Sequence, residues 1–140
     1  MMRWKRFVAS VLYALNGIRL AVCHERNMRI HLVATVAVIV AAAMFRISKM
    51  EWLVLLLTIG AVMSLEIVNS AIERTVDLVT DEYRPLAKEA KDLAAGAVLV
   101  FAFISVIIGI SIFLPYLYVF FKNSLHLVHH QKMYLHLPLK

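Results

Sequence analysis

A single cysteine, Cys23, in a chain of 140 residues excludes an intrachain disulfide framework and a four-cysteine zinc site. With only four glycines the chain has no glycine-rich phosphate cradle. Gly-x-x-x-x-Gly-Lys-Ser/Thr, a kinase glycine-rich loop and Gly-x-Ser-x-Gly are all missing. Charge is scarce as well. Asp, Glu, Lys and Arg make up 17% of residues, where a soluble domain carries about 25%. Neither an internal repeat nor a low-complexity linker is present, and the length allows one domain. Apolar side chains dominate instead: 62% of residues are hydrophobic and the mean hydropathy is +0.79. This composition is that of a membrane protein. The net charge of +6 then fits cytoplasmic loops facing anionic lipid better than a nucleic-acid surface.

The apolar residues form three stretches long enough to span. Leu93 to Phe121 holds no charged residue. As a continuous helix it would reach about 43 Å, more than a hydrocarbon core of ~30 Å. Gly96 and Gly109 suit close helix packing, and Pro115 is expected to mark a kink or the end of the span. A second stretch begins near Trp52 and runs through Leu65. The first, from about Met28 to Phe45, is short, so Arg29 and Arg46 must snorkel. The expected spans are 28–46, 50–72 and 93–115.

Residues 3–23 read differently. Trp4, Phe7, Val8, Val11, Leu15, Ile18 and Val22 recur at helical spacing, with Arg3, Lys5, Arg6 and Arg19 among them. This predicts a basic amphipathic helix in the membrane interface. A signal peptide ending at Cys23 fits less well. Arg19 interrupts its apolar region, and Val22 is larger than the residue normally tolerated before a lipidated cysteine. Trp4, Trp52 and Tyr118 read as interface anchors.

Lysine and arginine set the orientation. With the N-terminus inside, ten lie on the cytoplasmic side and five outside. That favours three spans, N-terminus in and C-terminus out. Every carboxylate except Glu51 then falls in the cytoplasmic half or its loops.

The densest information lies in Ser64-Leu-Glu-Ile-Val-Asn-Ser-Ala-Ile-Glu-Arg-Thr-Val-Asp77. On a helix Glu73 and Asp77 project about 20° either side of Glu66. Asn69 and Ser70 flank them. A carboxylate in hydrocarbon costs on the order of 2.5–3.5 kcal/mol or more, so this stripe implies a polar cavity, a partner helix or a bound cation. Carboxylates can hold Mg²⁺ together with substrate phosphates, and one more can accept a proton from an alcohol. Lys88 and Lys91 lie nearby to neutralise phosphate charge. Asp77 has a simpler reading as an ion-pair partner of Arg74 or Lys88. Asp81-Glu82-Tyr83-Arg84-Pro85 reads as a turn, with Pro85 in the first turn of the next helix. Two non-enzymatic readings also use intramembrane acids: a small membrane scaffold, and a subunit of a cation or proton transporter. Transporter acids belong near the bilayer midplane. These acids cluster at one end of the second span and continue into the loop.

Glu66-Ile-Val-Asn-Ser-Ala-Ile-Glu73, then Asp77, Asp81-Glu82-Tyr83, Ala90-Lys91-Asp92 and Ala95-Gly96-Ala97-Val98 resemble the prokaryotic diacylglycerol kinase family. Glu25-Arg26-Asn27-Met28-Arg29-Ile30-His31 resembles its Gram-positive, undecaprenol kinase branch. The resemblance covers roughly residues 4–112. It implies an all-α homotrimer of the bacterial inner membrane, with three transmembrane helices and a surface helix per subunit. Its sites would be cytoplasmic and would draw on neighbouring subunits. Its reaction would carry the γ-phosphate of ATP, with Mg²⁺, to a lipid alcohol: undecaprenol, or alternatively diacylglycerol. By position it makes Glu66 the general base meeting the lipid hydroxyl. Glu25 and Glu73 become magnesium-holding carboxylates beside the nucleotide. Arg6, Tyr13, Glu82, Tyr83, Arg84, Lys91 and Asp92 become nucleotide contacts, with Asn69 and Asp77 in support.

Two features depart from that pattern. Position 84 is Arg where related chains often have His. Residues 122–140 follow the expected kinase domain (1–121) as a tail holding His126, His129, His130 and His136. A solvated or interfacial extension is the plain reading of that tail. A metal site would lack an accompanying carboxylate or cysteine there.

Overall fold

The computed structural model describes the backbone of residues 2–135 and the side chains of residues 3–123. The tail histidines therefore lie outside the described side chains. Four helices follow in order: α1 (Met2–His24), α2 (Arg26–Phe45), α3 (Lys49–Val79) and α4 (Pro85–Leu135). There is no strand among the described residues. By length and composition all four helices are able to cross a membrane. Large apolar side chains such as Leu57, Leu99, Phe103 and Leu114 point outward, as they do in a multi-pass helical membrane protein.

Local chemistry sets each boundary. Arg46 ends α2 in the left-handed region, at φ 53° and ψ 49°. The N–H groups of Arg46 and Ile47 donate back to Ala43 O and Ala42 O, each at 3.3 Å, which satisfies carbonyls that a helix end leaves open. Ser48 then opens α3 with a capping box. The Glu51 N–H donates to Ser48 Oγ at 3.3 Å, and the Ser48 N–H donates to Glu51 Oε2 at 2.7 Å. At the far end of α3, Thr80 N–H donates to Val76 O, and Glu82 N–H donates to Thr80 Oγ1. Pro85 is the first residue of α4, as its fixed φ suits.

α3 is longer than the expected span of 50–72, so Glu73 and Asp77 stay on the same helix as Glu66. α4 continues through Pro115 to Leu135, so of the two expectations for Pro115, a kink or an end, the helix does not end there. The missing proline N–H is tolerated where neighbours brace the helix. Here the Tyr116 hydroxyl donates to Glu51 Oε2 at 2.7 Å, and Phe45 packs against Phe113 and Tyr116.

The apolar core sits at the α2–α3 turn. Ala42, Ile47, Leu55 and Ile112 are buried there, with Phe45, Trp52 and Phe113 packed against them. α4 packs chiefly along α3. The buried face of α3 is a single helical stripe: Leu55, Thr58, Val62, Glu66, Asn69 and Ser70. Successive members are three or four residues apart as far as Asn69, and Ser70 lies four from Glu66, so the periodicity holds while the chemistry changes. The stripe begins apolar near the turn and becomes polar at the opposite end.

Candidate active site

Glu66 lies on this stripe, so helix rotation drives its carboxylate into the bundle. The residue is 2% exposed, and Oε2 has no hydrogen-bond partner among the described residues. One turn on, Asn69 is 5% exposed and its Oδ1 is likewise unpartnered. Buried acceptors are normally satisfied, because leaving one unmade costs about 1–3 kcal/mol. The Asn69 amide donates instead to Glu73 Oε1 at 2.9 Å, and Ser70 Oγ donates to the Glu66 carbonyl at 2.9 Å. The stripe thus presents a row of oxygen acceptors with few donors. Asn27 and His31 in the first turns of α2, together with Glu25 and Glu73, lie within electrostatic reach of the Glu66 carboxylate.

Glu25 occupies the junction of α1 and α2. Arg74 Nη2 on α3 donates to its Oε1 at 2.8 Å. Farther along α3 the stripe emerges into a cleft of about 540 Å³ between the end of α3 and the start of α4. Asp77, Glu82, Tyr83, Arg84, Lys88 and Lys91 line it. Lys91 pairs with Asp77, Lys88 with Asp92, and Arg84 with Glu82 at 3.2 Å. Asp77 therefore does not pair with Arg74 or Lys88. Arg74 turns toward Glu25, Lys88 is held by Asp92 one turn on, and Lys91 reaches across from α4.

The structure brings most of the expected site together in one chain. Glu66, Asn69 and Glu73 adjoin on α3, Glu25 is tied to them through Arg74, and the loop residues share the cleft with Lys91. Arg6 and Tyr13 stand apart. Both side chains are exposed on α1, and neither makes a side-chain hydrogen bond or ion pair among the described residues.

The arrangement offers a buried carboxylate, further carboxylates beside it and, about three turns farther along α3, an open cleft lined by both acids (Asp77, Asp81, Glu82) and bases (Arg84, Lys88, Lys91). Comparison with known proteins decides what such a set serves. Residues 12–113 match the family described as prokaryotic diacylglycerol kinase. This chain belongs to that family. It is 51% identical to an undecaprenol kinase of Bacillus subtilis over 79% of this chain and 89% of that protein. It is 46% identical to a diacylglycerol kinase of Synechocystis over 77% of this chain and 62% of that protein. With the diacylglycerol kinase of Escherichia coli K12 it shares 33% identity over 73% of this chain and 84% of that protein. Prokaryotic diacylglycerol kinases are lipid kinases, so this chain is a lipid kinase whose chemistry is phosphoryl transfer from ATP.

A hard divalent cation fits the donors present. Glu25, Glu73, Glu66 and Asn69 offer only oxygen, and two of those oxygens are buried without partners. Among the described residues no cluster of three or more His, Cys, Asp or Glu side chains is gathered tightly enough to hold a metal alone. Mg²⁺ does not need such a cage, because it is usually bound by one or two carboxylates plus substrate phosphates. Sequence reasoning missed Asn27 and His31 as neighbours of the acids, and it paired Arg74 with Asp77 rather than with Glu25. Asn27 and His31 carried a signal, being one helical turn apart directly after Glu25.

Proposed function

We propose that this prokaryotic diacylglycerol kinase phosphorylates undecaprenol at the cytoplasmic face of the bacterial inner membrane. The buried Glu66 carboxylate carries the reading: it has an unpartnered oxygen where the α3 stripe turns from apolar to polar. A lipid alcohol places its hydroxyl at that depth and its tail in hydrocarbon. In the reaction Glu66 accepts the hydroxyl proton as the oxygen bonds to the γ-phosphorus. The bond to the bridging oxygen of ADP breaks, and ADP leaves with that electron pair. Glu25 and Glu73 are the residues that would hold Mg²⁺, which supplies charge neutralisation at the phosphates. Lys91 and Arg84 supply cationic groups for the nucleotide in the cleft, and Glu82, Tyr83 and Asp92 complete its walls and pairings. Asn69 and Asp77 orient Glu73 and Lys91 through the bonds already described.

Residues 1–121 form the kinase domain in this reading, with 122–140 as an extension. Its helices α2, α3 and α4 span, and α1 lies in the interface. The exposure of α1 along nearly its whole length and its four Arg and Lys residues support that placement. The charge distribution supports a cytoplasmic N-terminus. A membrane-impermeant thiol reagent should then label Lys49→Cys from outside in a Cys23→Ser background. Labelling only after permeabilisation would reverse the topology. The chain acts as a homotrimer with shared sites. The unpartnered oxygens of Glu66 and Asn69, and the isolation of Arg6 and Tyr13 from the cleft, support completion by neighbouring copies.

The identity to the Bacillus subtilis undecaprenol kinase favours undecaprenol. The Synechocystis and Escherichia coli relatives keep diacylglycerol as the second reading. Purified protein given labelled ATP, Mg²⁺ and both lipids at equal mole fraction should label undecaprenol preferentially. Label on diacylglycerol alone would overturn the substrate but keep the kinase, and label on neither lipid would overturn both.

A further inference from the structure

Glu25 stands at the N-cap of α2 with extended backbone, φ −90° and ψ 123°, yet its side chain makes no capping bond. An N-cap carboxylate ordinarily accepts from the first turn of its own helix. This one reaches 49 positions along the chain, where the Arg74 guanidinium donates to its Oε1 at 2.8 Å. Arg74 is half exposed and Glu25 is only 22% exposed, so the pair has one end open to solvent and one end largely covered. Glu25 and Glu73 each lie within electrostatic reach of Glu66, and Arg74 is the guanidinium bonded to one of these carboxylates among the described residues.

We infer that Arg74 is a positioning residue that holds Glu25 in the metal-free enzyme and competes with the divalent cation for it. The inference rests on the reading of Glu25 as a metal-holding carboxylate. An N–H of Arg74 occupies one of the Oε1 lone pairs open to a cation, and the two positive charges repel. The guanidinium therefore loosens its hold on Glu25, retreating on its exposed side, as the cation arrives. In the metal-free enzyme it relieves repulsion among the three carboxylates and keeps Glu25 turned toward α3. Partly exposed ion pairs are weak, so the competition is modest, about two- to five-fold in cation affinity.

The test is a Mn²⁺ titration followed by electron paramagnetic resonance, on the intact detergent-solubilised protein with a non-hydrolysable ATP analogue. Arg74→Ala should bind Mn²⁺ about two- to five-fold more tightly than wild type, and Arg74→Lys should stay near wild type. Glu25→Gln should weaken binding, and adding Arg74→Ala to it should change nothing further. If Glu25→Gln weakens binding while Arg74→Ala leaves it unchanged or weaker, Arg74 is no competitor and the inference is wrong. If Glu25→Gln binds Mn²⁺ as wild type does, the assignment of Glu25 to the metal fails first. Should Arg74→Ala not assemble, Arg74→Gln carries the same expectation at similar side-chain length.

Discussion

Replacing Glu66 with glutamine is expected to slow lipid phosphorylation by about 10²-fold or more while leaving nucleotide binding nearly unchanged. Glutamine keeps the size of the side chain and one acceptor oxygen, so packing on the buried α3 stripe is preserved. It cannot take a proton. The cleft that would hold the nucleotide begins about three turns farther on and does not include position 66. The effect should therefore fall on the rate constant at saturating substrate rather than on the KM for ATP. Phosphoryl transfer depends mostly on positioning and electrostatic stabilisation, so the residual rate should remain well above background. A fall in ATP affinity of the same size would instead mark Glu66 as a nucleotide or metal contact.

Glu73→Gln should be comparably severe, on the order of 10²-fold in turnover, by a different route. Asn69 Nδ2 donates to Glu73 Oε1 at 2.9 Å, and a glutamine carbonyl can accept the same bond. The fold around position 73 should survive, and light scattering on the purified variant should give the trimer mass. What is lost is the negative charge that would attract the cation. The defect should thus appear as a raised requirement for Mg²⁺, partly relieved at high concentration. A variant with normal turnover at low Mg²⁺ would remove Glu73 from the metal site, and a monomeric wild type would remove the trimer.

The α3 stripe was legible because one rule governs its whole length. The same periodicity that places Leu55 and Val62 in the core places Glu66 and Asn69 there too, so the acids could be assigned to one face before any packing was known. The turn before Pro85 was legible for a local reason, the fixed φ of proline. Pairings between helices were not. Whether Arg74 meets Asp77 on its own helix or Glu25 across the bundle depends on the relative rotation of α3 and the α1–α2 junction, which no local pattern encodes. Lys91 and Asp77 likewise meet only because the short loop folds α4 back along α3. Pro115 does not end α4, for the complementary reason. Its local preference is to end or bend a helix, but the bond from Tyr116 to Glu51 and the packing of Phe45 brace that turn from outside it.

Rapid-quench measurement of a single turnover tests the account most directly. Wild type and Glu66→Gln would each be saturated with labelled ATP, Mg²⁺ and undecaprenol, and labelled lipid phosphate followed with time. The wild type should transfer label to undecaprenol in the first turnover, and the variant should do so about 10²-fold or more slowly with its nucleotide site still filled. Equal single-turnover rates for the two proteins, on undecaprenol and on every other lipid alcohol tried, would contradict the role given to the buried carboxylate.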